Sequence, residues 1–257
     1  MADQTPATPA PLEASELGTK EYWDELYTRE STNHAADPTD EGTIWFDDSS
    51  AEDKLVALLR SSSLTGFDPA TASFLDLGTG NGHLLFRLRD EGVRGDDDSE
   101  DEEEEGEEEE GKLFKGRMMG TDYSATSITF ARAVATERGL VDGAVEFVEW
   151  DILASPSDAV LSGPNADGWD VVLDKGTFDA VSLMGDAEAG KRYVERVREV
   201  VRRGGWAVIT SCNWTEGEVR GWFEGEGLEW GGRVEYRRFR FGGGEGQSIC
   251  TCYFRRV

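Results

Sequence analysis

Residues 73–92, SFLDLGTGNGHLLFRLRDEG, leave little choice of architecture. An apolar run ending at Asp76, a sharp turn through Gly78, Gly80 and Gly82, and a following helix open a strand–turn–helix unit. The same order recurs along the chain. RMMGTDYSATSITFARAVATERG (117–139) is strand, turn and helix, and AVEFVEWDIL (144–153) alternates as a strand. WDVVLDKGTFDAVS (169–182) begins with a short buried strand and ends in a turn. RYVERVREVVRRGG (192–205) is an amphipathic helix stopped by glycines, and WAVITSCNW (206–214) is another buried strand. This alternation predicts an α/β fold with a largely parallel sheet covered on both faces. Two strands joined by a glycine-rich turn at 233–257 add an antiparallel edge. Upstream, 17–30 reads as a helix with Trp23, Leu26 and Tyr27 at helical spacing. A second helix follows at 49–62, capped by Ser50 with Asp53 three residues on. TEGEVRGWFEGEG (215–227) reads as a short helix.

At 257 residues, with eight Trp and twelve Phe, the chain has material for one packed domain over 17–257. No run approaches the ~20 apolar residues of a membrane span. Residues 1–16, MADQTPATPAPLEASE, lack the basic-then-apolar order of a signal peptide, and their Pro, Ala and Thr content predicts a disordered leader. A soluble, cytoplasmic protein is expected. It is expected to be a monomer, since no heptad or apolar interaction face is evident. Three cysteines, with only His34 and His83 beside them, make neither a disulfide framework nor an expected metal site. The net charge of −27 is unevenly spread. Residues 96–110 hold thirteen acids and no base, and without them 40 acids face 26 bases. Residues 231–257 carry six Arg against Glu235 and Glu245. The broad basic surface of a nucleic-acid binder is absent from the sequence. The acidic low-complexity insert, at about 95–111, falls between a helix and a strand, where extra length costs little loop-closure entropy. It reads as a solvated loop ahead of an attractor for basic partners.

In an open α/β sheet, ligands bind in the crevice at the strand carboxyl ends. The G-x-G-x-G spacing after the first strand differs from the G-x-G-x-x-G of dinucleotide enzymes. Asp76 there can accept from the amine of a bound amino-acid moiety, with Gly78, Gly80, Asn81 and Gly82 forming the loop that approaches it. GTDYS (120–124) puts Asp122 and Tyr123 after the second strand, where an acid can accept from both ribose hydroxyls. Asp76 and Asp122 are 46 residues apart, more than the usual ~20, and the insert accounts for much of the excess. EWDIL (149–153) ends the third strand with Asp151 for an adenine amino group and Ile152 for the ring face. Each signal alone has a plainer reading as a chain reversal, a helix cap or a strand-end turn acid. Three acids after three successive strands describe a pocket for an adenosine bearing an amino acid, and S-adenosyl-L-methionine fits it.

LDKGTFDAVS (173–182) follows the fourth strand, beside the position of the transferring methyl. Asp174 can hold a nucleophilic amine there. Lys175 reads as an ion-pair partner ahead of a catalytic base, and Phe178 and Asp179 as packing and capping residues. SCNWT (211–215) brings Asn213 and Trp214 to the same mouth, with core filling an equal reading for Trp214. Trp23, Tyr27, Trp45 and Phe46 can close the pocket, since aromatic faces favour a cation by ~0.5–2 kcal/mol. For Trp45 and Phe46, stapling the N-terminal helix to the core is the slightly favoured alternative.

LGTKEYWDELY, GTIWF, FLDLGTGNG, GTDYS, LDKGTFDAVSL and ITSCNWT, in that order, resemble the lysine methyltransferases of translation elongation factor 1-alpha. FGGGEGQSICTCYF is similar to that family's final hairpin. The resemblance spans about 17–257, and the pairing of LDKGTFDA with SCNWT is its specific part. It implies a Rossmann-like seven-strand sheet, mostly parallel with an antiparallel terminal strand, and helices on both faces. It implies S-adenosyl-L-methionine as methyl donor and a lysine nitrogen of elongation factor 1-alpha as acceptor, giving mono- and dimethyl-lysine. Trp23, Asp76, Gly78, Gly80, Asn81, Gly82, Asp122, Tyr123, Asp151 and Ile152 would bind the cofactor, and Asp174 and Asn213 would face the acceptor lysine. The acidic run departs from the family's short connection. Two other readings stay open: a methyltransferase of another protein or of a small molecule, and a cofactor-binding module without catalysis that serves as a partner or trafficking factor.

Overall fold

The computed structural model describes residues 9–91, 113–140, 143–186, 188–225, 227–236, 239–241, 244–246 and 249–257. The acidic insert and residues 1–8 of the leader lie outside them. Of the rest of the leader, Leu12 packs against the core, and Ser15 N–H donates to Leu183 O at 3.1 Å.

The chain opens with α1 (Lys20–Ala36), whose cap Thr19 accepts from Tyr22 N–H. Next comes α2 (Ala51–Arg60), burying Leu55, Leu58 and Leu59 as their spacing predicts. Ser50 does not cap it. Its backbone is left-handed (φ 51°), no side-chain cap bond forms, and the expected capping box is absent. Then follow β1 (Phe74–Leu77), α3 (His83–Asp90), β2 (Met118–Asp122) and α4 (Ala125–Glu137). Here Ser124 does cap, accepting from Ser127 N–H at 3.2 Å. After β3 (Glu146–Glu149) and β4 (Trp169–Lys175) come α5 (Thr177–Ser182), α6 (Ala189–Val200) and β5 (Val201–Ser211). The helix expected to run to Gly205 therefore stops at Val200. Trp169 pairs with Val201 while Val171 pairs with Trp206, so Gly204 and Gly205 sit in an irregularity of the strand rather than at a helix end. The chain closes with α7 (Glu216–Phe223), held by a Thr215–Glu218 capping box, then β6 (Leu228–Val234), β7 (Phe239–Phe241), β8 (Gly244–Gly246) and β9 (Cys250–Arg256).

Seven strands form one sheet in the order β3-β2-β1-β4-β5-β9-β6. β1 to β5 pair in parallel, and β9 is antiparallel to both of its neighbours. The terminal strand thus inserts between β5 and β6, and β6 takes the edge. β7 and β8 make a separate small hairpin within the β6–β9 connection.

Both faces of the sheet are buried, which explains the near-continuous apolar strands. Phe74, Val171, Leu173 and Val208 share one cluster with α1 to α4, while Leu75, Val172, Ala207 and Ile209 share the other with α5 to α7. Alternate residues of each strand serve opposite layers. Truncating a fully buried ring such as Phe178 would cost about 3–5 kcal/mol. Because β1 to β5 run in parallel, their carboxyl ends, and the loops after them, meet at one rim.

Candidate active site

A cavity of about 510 Å³ opens at that rim, within the size range of small-molecule pockets. A smaller polar recess adjoins it, sharing Gly78, Tyr27, Trp45 and Lys175 with the main cleft.

The glycine turn builds the floor. At Gly78 (φ 61°) a Cβ would lie 2.1 Å from Thr177 Oγ1, so only glycine lets this turn pass the start of α5. Gly80 lines the recess, and its N–H donates to Asp122 Oδ2 at 3.2 Å. Gly82 lines neither space. It lies where a Cβ would strike the rings of Phe147 and Phe86, and its contacts are those of a packing residue. Asn81 borders the recess and donates from Nδ2 to the carbonyls of Glu41 and Thr43.

The three strand-end acids all border this region. Asp76 faces the recess, accepts from Thr79 Oγ1 at 2.8 Å, and is pushed by burial up to about 7. Asp122 faces the cleft. Its oxygens accept from the N–H groups of Gly80 and Ser124 and from Ser127 Oγ, which uses three of about four lone-pair sites. Burial raises its pKa as well. Asp151 lies just past β3 and lines the cleft beside Ile152, with Oδ1 accepting from the N–H groups of Leu153 and Ala154. Tyr123 lines the same side, and its hydroxyl donates to Thr19 O at 3.3 Å. Trp23 lines the cleft with its Nε1–H on Leu17 O at 2.8 Å, its ring 5.4 Å from Trp45 and 6.2 Å from Tyr27. All four candidate aromatics, Phe46 included, line the cleft.

The β4–β5 side is arranged differently. Asp174 is 1% exposed and lines neither space. Its oxygens accept from the N–H groups of Thr177 and Phe178 and from the Tyr193 hydroxyl at 2.7 Å, and burial pushes it up to about 7. Asn213 does line the cleft. Trp214 fills core instead of reaching the mouth, since its ring packs on Phe178 and Trp222 and its Nε1–H donates to Ser182 Oγ. Asp179 lines the cleft, yet its oxygens hold the strand-end loop by accepting from Ser211 Oγ, Cys212 N–H and Asn213 N–H.

Residues 70–236 match a family of methyltransferase domains. The chain is 37% identical to protein-lysine N-methyltransferase EFM4 of Saccharomyces cerevisiae over 95% of this chain and 96% of that one. It is 31% identical to EEF1A lysine methyltransferase 2 of Homo sapiens, over 95% and 88%. The chain belongs to this family of protein-lysine N-methyltransferases. The fold is shared more widely. N-methyltransferase NodS of Bradyrhizobium japonicum, solved with S-adenosyl-L-homocysteine, superposes with a TM-score of 0.53 over 91% of this chain and 98% of that one, at 16% identity.

For a protein-lysine methyltransferase the cleft also contains groups the motifs alone do not reveal. Leu17 and Gly18 roof it, with Gly18 so close to Leu183 O that a Cβ would stand 2.2 Å away. Lys175 borders both spaces and bonds the distant Trp45 carbonyl. No motif links residues 130 apart, and the signal for such a contact lies in three dimensions only. Among the described residues no helix is long and apolar enough to cross a membrane, and no cluster of metal-ligating side chains occurs.

Proposed function

We propose that this enzyme methylates a lysine side chain of translation elongation factor 1-alpha, adding one methyl group and then a second. The observation that carries the reading is one cavity bordered both by acids of the cofactor type, Asp122 and Asp151, and by Asn213 from the loop after β5. The relatives suggest the acceptor, because those named for EEF1A are lysine methyltransferases aligned over nearly the whole chain. A translation factor as acceptor makes the reaction a cytoplasmic one.

The donor set fits S-adenosyl-L-methionine. The recess offers a buried carboxylate, Asp76, for an ammonium group. Asp122 has one acceptor site left for a ribose hydroxyl. Asp151 and Ile152 stand together at the β3 end, an acceptor beside an aliphatic face for a purine. When bound, the cofactor supplies a methyl carbon on a positively charged sulfur.

The chain's own work is then mainly orientation, which can account for much of the acceleration of a two-substrate reaction. Trp23, Tyr27, Trp45 and Phe46 present aromatic faces that tolerate cationic groups and exclude water. Asn213 Oδ1 accepts from the incoming amine and directs its lone pair inward. The amine must be neutral to attack, and its proton leaves toward solvent at the mouth. Asp174 serves indirectly, by fixing the first turn of α5 beneath the site. The test is transfer of label from tritiated S-adenosylmethionine to purified elongation factor 1-alpha. Label on lysine supports the reading, while unlabelled factor despite confirmed cofactor binding overturns the acceptor.

A further inference from the structure

Residues 43–50 are built unlike the other loops of the rim. Phe46 (φ 65°) and Ser50 (φ 51°) are left-handed, and they are the non-glycine residues with positive φ among the described residues. Between them runs a short 3-10 turn, Asp47–Ser49. Backbone of this kind persists only where its surroundings over-determine it, and here they do. Lys175 Nζ, at the end of β4, donates to Trp45 O at 3.1 Å. The same ammonium lies 3.4 Å from Glu52 Oε1, in the first turn of α2. Glu52 is 7% exposed, and its other oxygen meets His83 Nδ1 at 2.6 Å. Burial by itself would raise the Glu52 carboxyl, but His83 and Lys175 bring it below its ordinary value, so it stays an anion. Gly176, next in sequence to Lys175, packs so closely on the Phe46 ring that a Cβ would lie 3.3 Å from it.

These contacts converge on one end of the cleft. Phe46, Gly176 and Thr177 line the cleft at the end of β4, away from Asp122 and Asp151 at the ends of β2 and β3, while Trp45 and Lys175 line it and also border the recess of Asp76. We propose that Lys175 is a positioning residue for methyl transfer: by tying the Trp45 carbonyl and the Glu52 carboxylate to the end of β4, it holds the rings of Trp45 and Phe46 as the acceptor-side wall. The proposal rests on the lysine-acceptor reading for its kinetic test, but the tether itself does not.

Lys175→Met alone strips a buried carboxylate of one of its two partners, leaving only His83, a change that can unfold the chain for that reason only, so the informative variant is Lys175→Met/Glu52→Gln. Steady-state kinetics with elongation factor 1-alpha should show kcat/KM for the acceptor falling on the order of 100-fold. The Kd for S-adenosylhomocysteine, by calorimetry, should weaken far less, by about tenfold at most, through the recess that Trp45 and Lys175 also border. Adding Trp45→Ala to this variant should cost nothing beyond Trp45→Ala alone, because residues acting through one element are not additive. A parallel loss of S-adenosylhomocysteine affinity, an unchanged kcat/KM, or independent losses in the combined variant would each overturn the proposal. Acrylamide quenching of the Trp45 signal, taken as the difference from a Trp45→Phe chain, reads the wall without any acceptor. It should rise in Lys175→Met/Glu52→Gln, and unchanged quenching would refute the tether. If the unaltered chain transfers nothing to elongation factor 1-alpha, the acceptor reading fails and quenching alone decides the tether.

Discussion

Asp122 and Asp174 occupy equivalent places in sequence, each an acid at or beside the end of a parallel strand and just before a helix, yet only Asp122 lines the cleft. Asp122 borders the cleft and retains acceptor capacity. Asp174 accepts from as many donors, two helix N–H groups and a tyrosine hydroxyl, but it is 1% exposed and lines neither the cleft nor the recess. The cause is the turn between each strand and its helix. After β4, Gly176 turns the chain directly into α5, so the N–H groups of Thr177 and Phe178 close over the carboxylate three and four residues back. After β2, Ser124 takes the capping role itself and relieves Asp122 of most of it.

The largest effect should separate these two acids. Asp174→Ala leaves two N–H groups and the Tyr193 hydroxyl without their acceptor in a buried site, and should cost about 3 kcal/mol of stability in urea unfolding. Its S-adenosylhomocysteine affinity should change little at temperatures where it remains folded. Asp122→Ala also leaves two N–H groups and a hydroxyl without their acceptor, but it should in addition weaken S-adenosylhomocysteine binding by about tenfold or more, and equal affinities of the two variants would erase the distinction.

A second, smaller effect concerns pH. Burial raises both Asp76 and Asp174 to about 7 from an ordinary value of 3.8. The folded chain therefore keeps protons that the unfolded chain releases between these values. This contribution to stability is fully present below the unfolded pKa and is lost as pH rises toward about 7. Ligand binding moves the other way at Asp76, since an ammonium group there needs the carboxylate. The Kd for S-adenosylhomocysteine should weaken by up to about tenfold per unit as pH falls below about 7, and this slope should flatten in Asp76→Asn. An identical slope in that variant would remove Asp76 from ammonium binding.

The smallest effect lies in the acceptor-side wall. Ser50 makes no cap bond and sits at φ 51°, so Ser50→Gly should stabilise the chain by about 0.5 kcal/mol, visible as a slightly higher Tm. A loss of stability would mean that the serine side chain is needed after all.

Much of the architecture is legible in local pattern. The alternating β and α segments, the doubly buried strands and the glycine turn at Gly78 all obey short-range rules. Asp76, Asp122 and Asp151 can be located near strand ends from sequence because strand length and chain direction fix those positions. What local pattern leaves open is orientation. Nothing near Asp174 in sequence announces Tyr193, and nothing near Trp214 announces the aromatic cluster with Phe178 and Trp222 that draws it inward. Ser50 looks like a cap until the loop it closes, pinned through Trp45 to Lys175, forces it into the left-handed region. Gly204 and Gly205 resemble a helix stop, but β5 needs them to accommodate its irregular pairing with β4.

The most direct measurement is peptide mapping by mass spectrometry of elongation factor 1-alpha after incubation with this protein and S-adenosylmethionine. One or two added methyl groups are expected on a single lysine, with none when Asn213→Ala replaces the unaltered chain. Methyl groups scattered over many residues, or none on lysine while S-adenosylhomocysteine still binds, would contradict lysine methylation of this factor as the activity of the cleft.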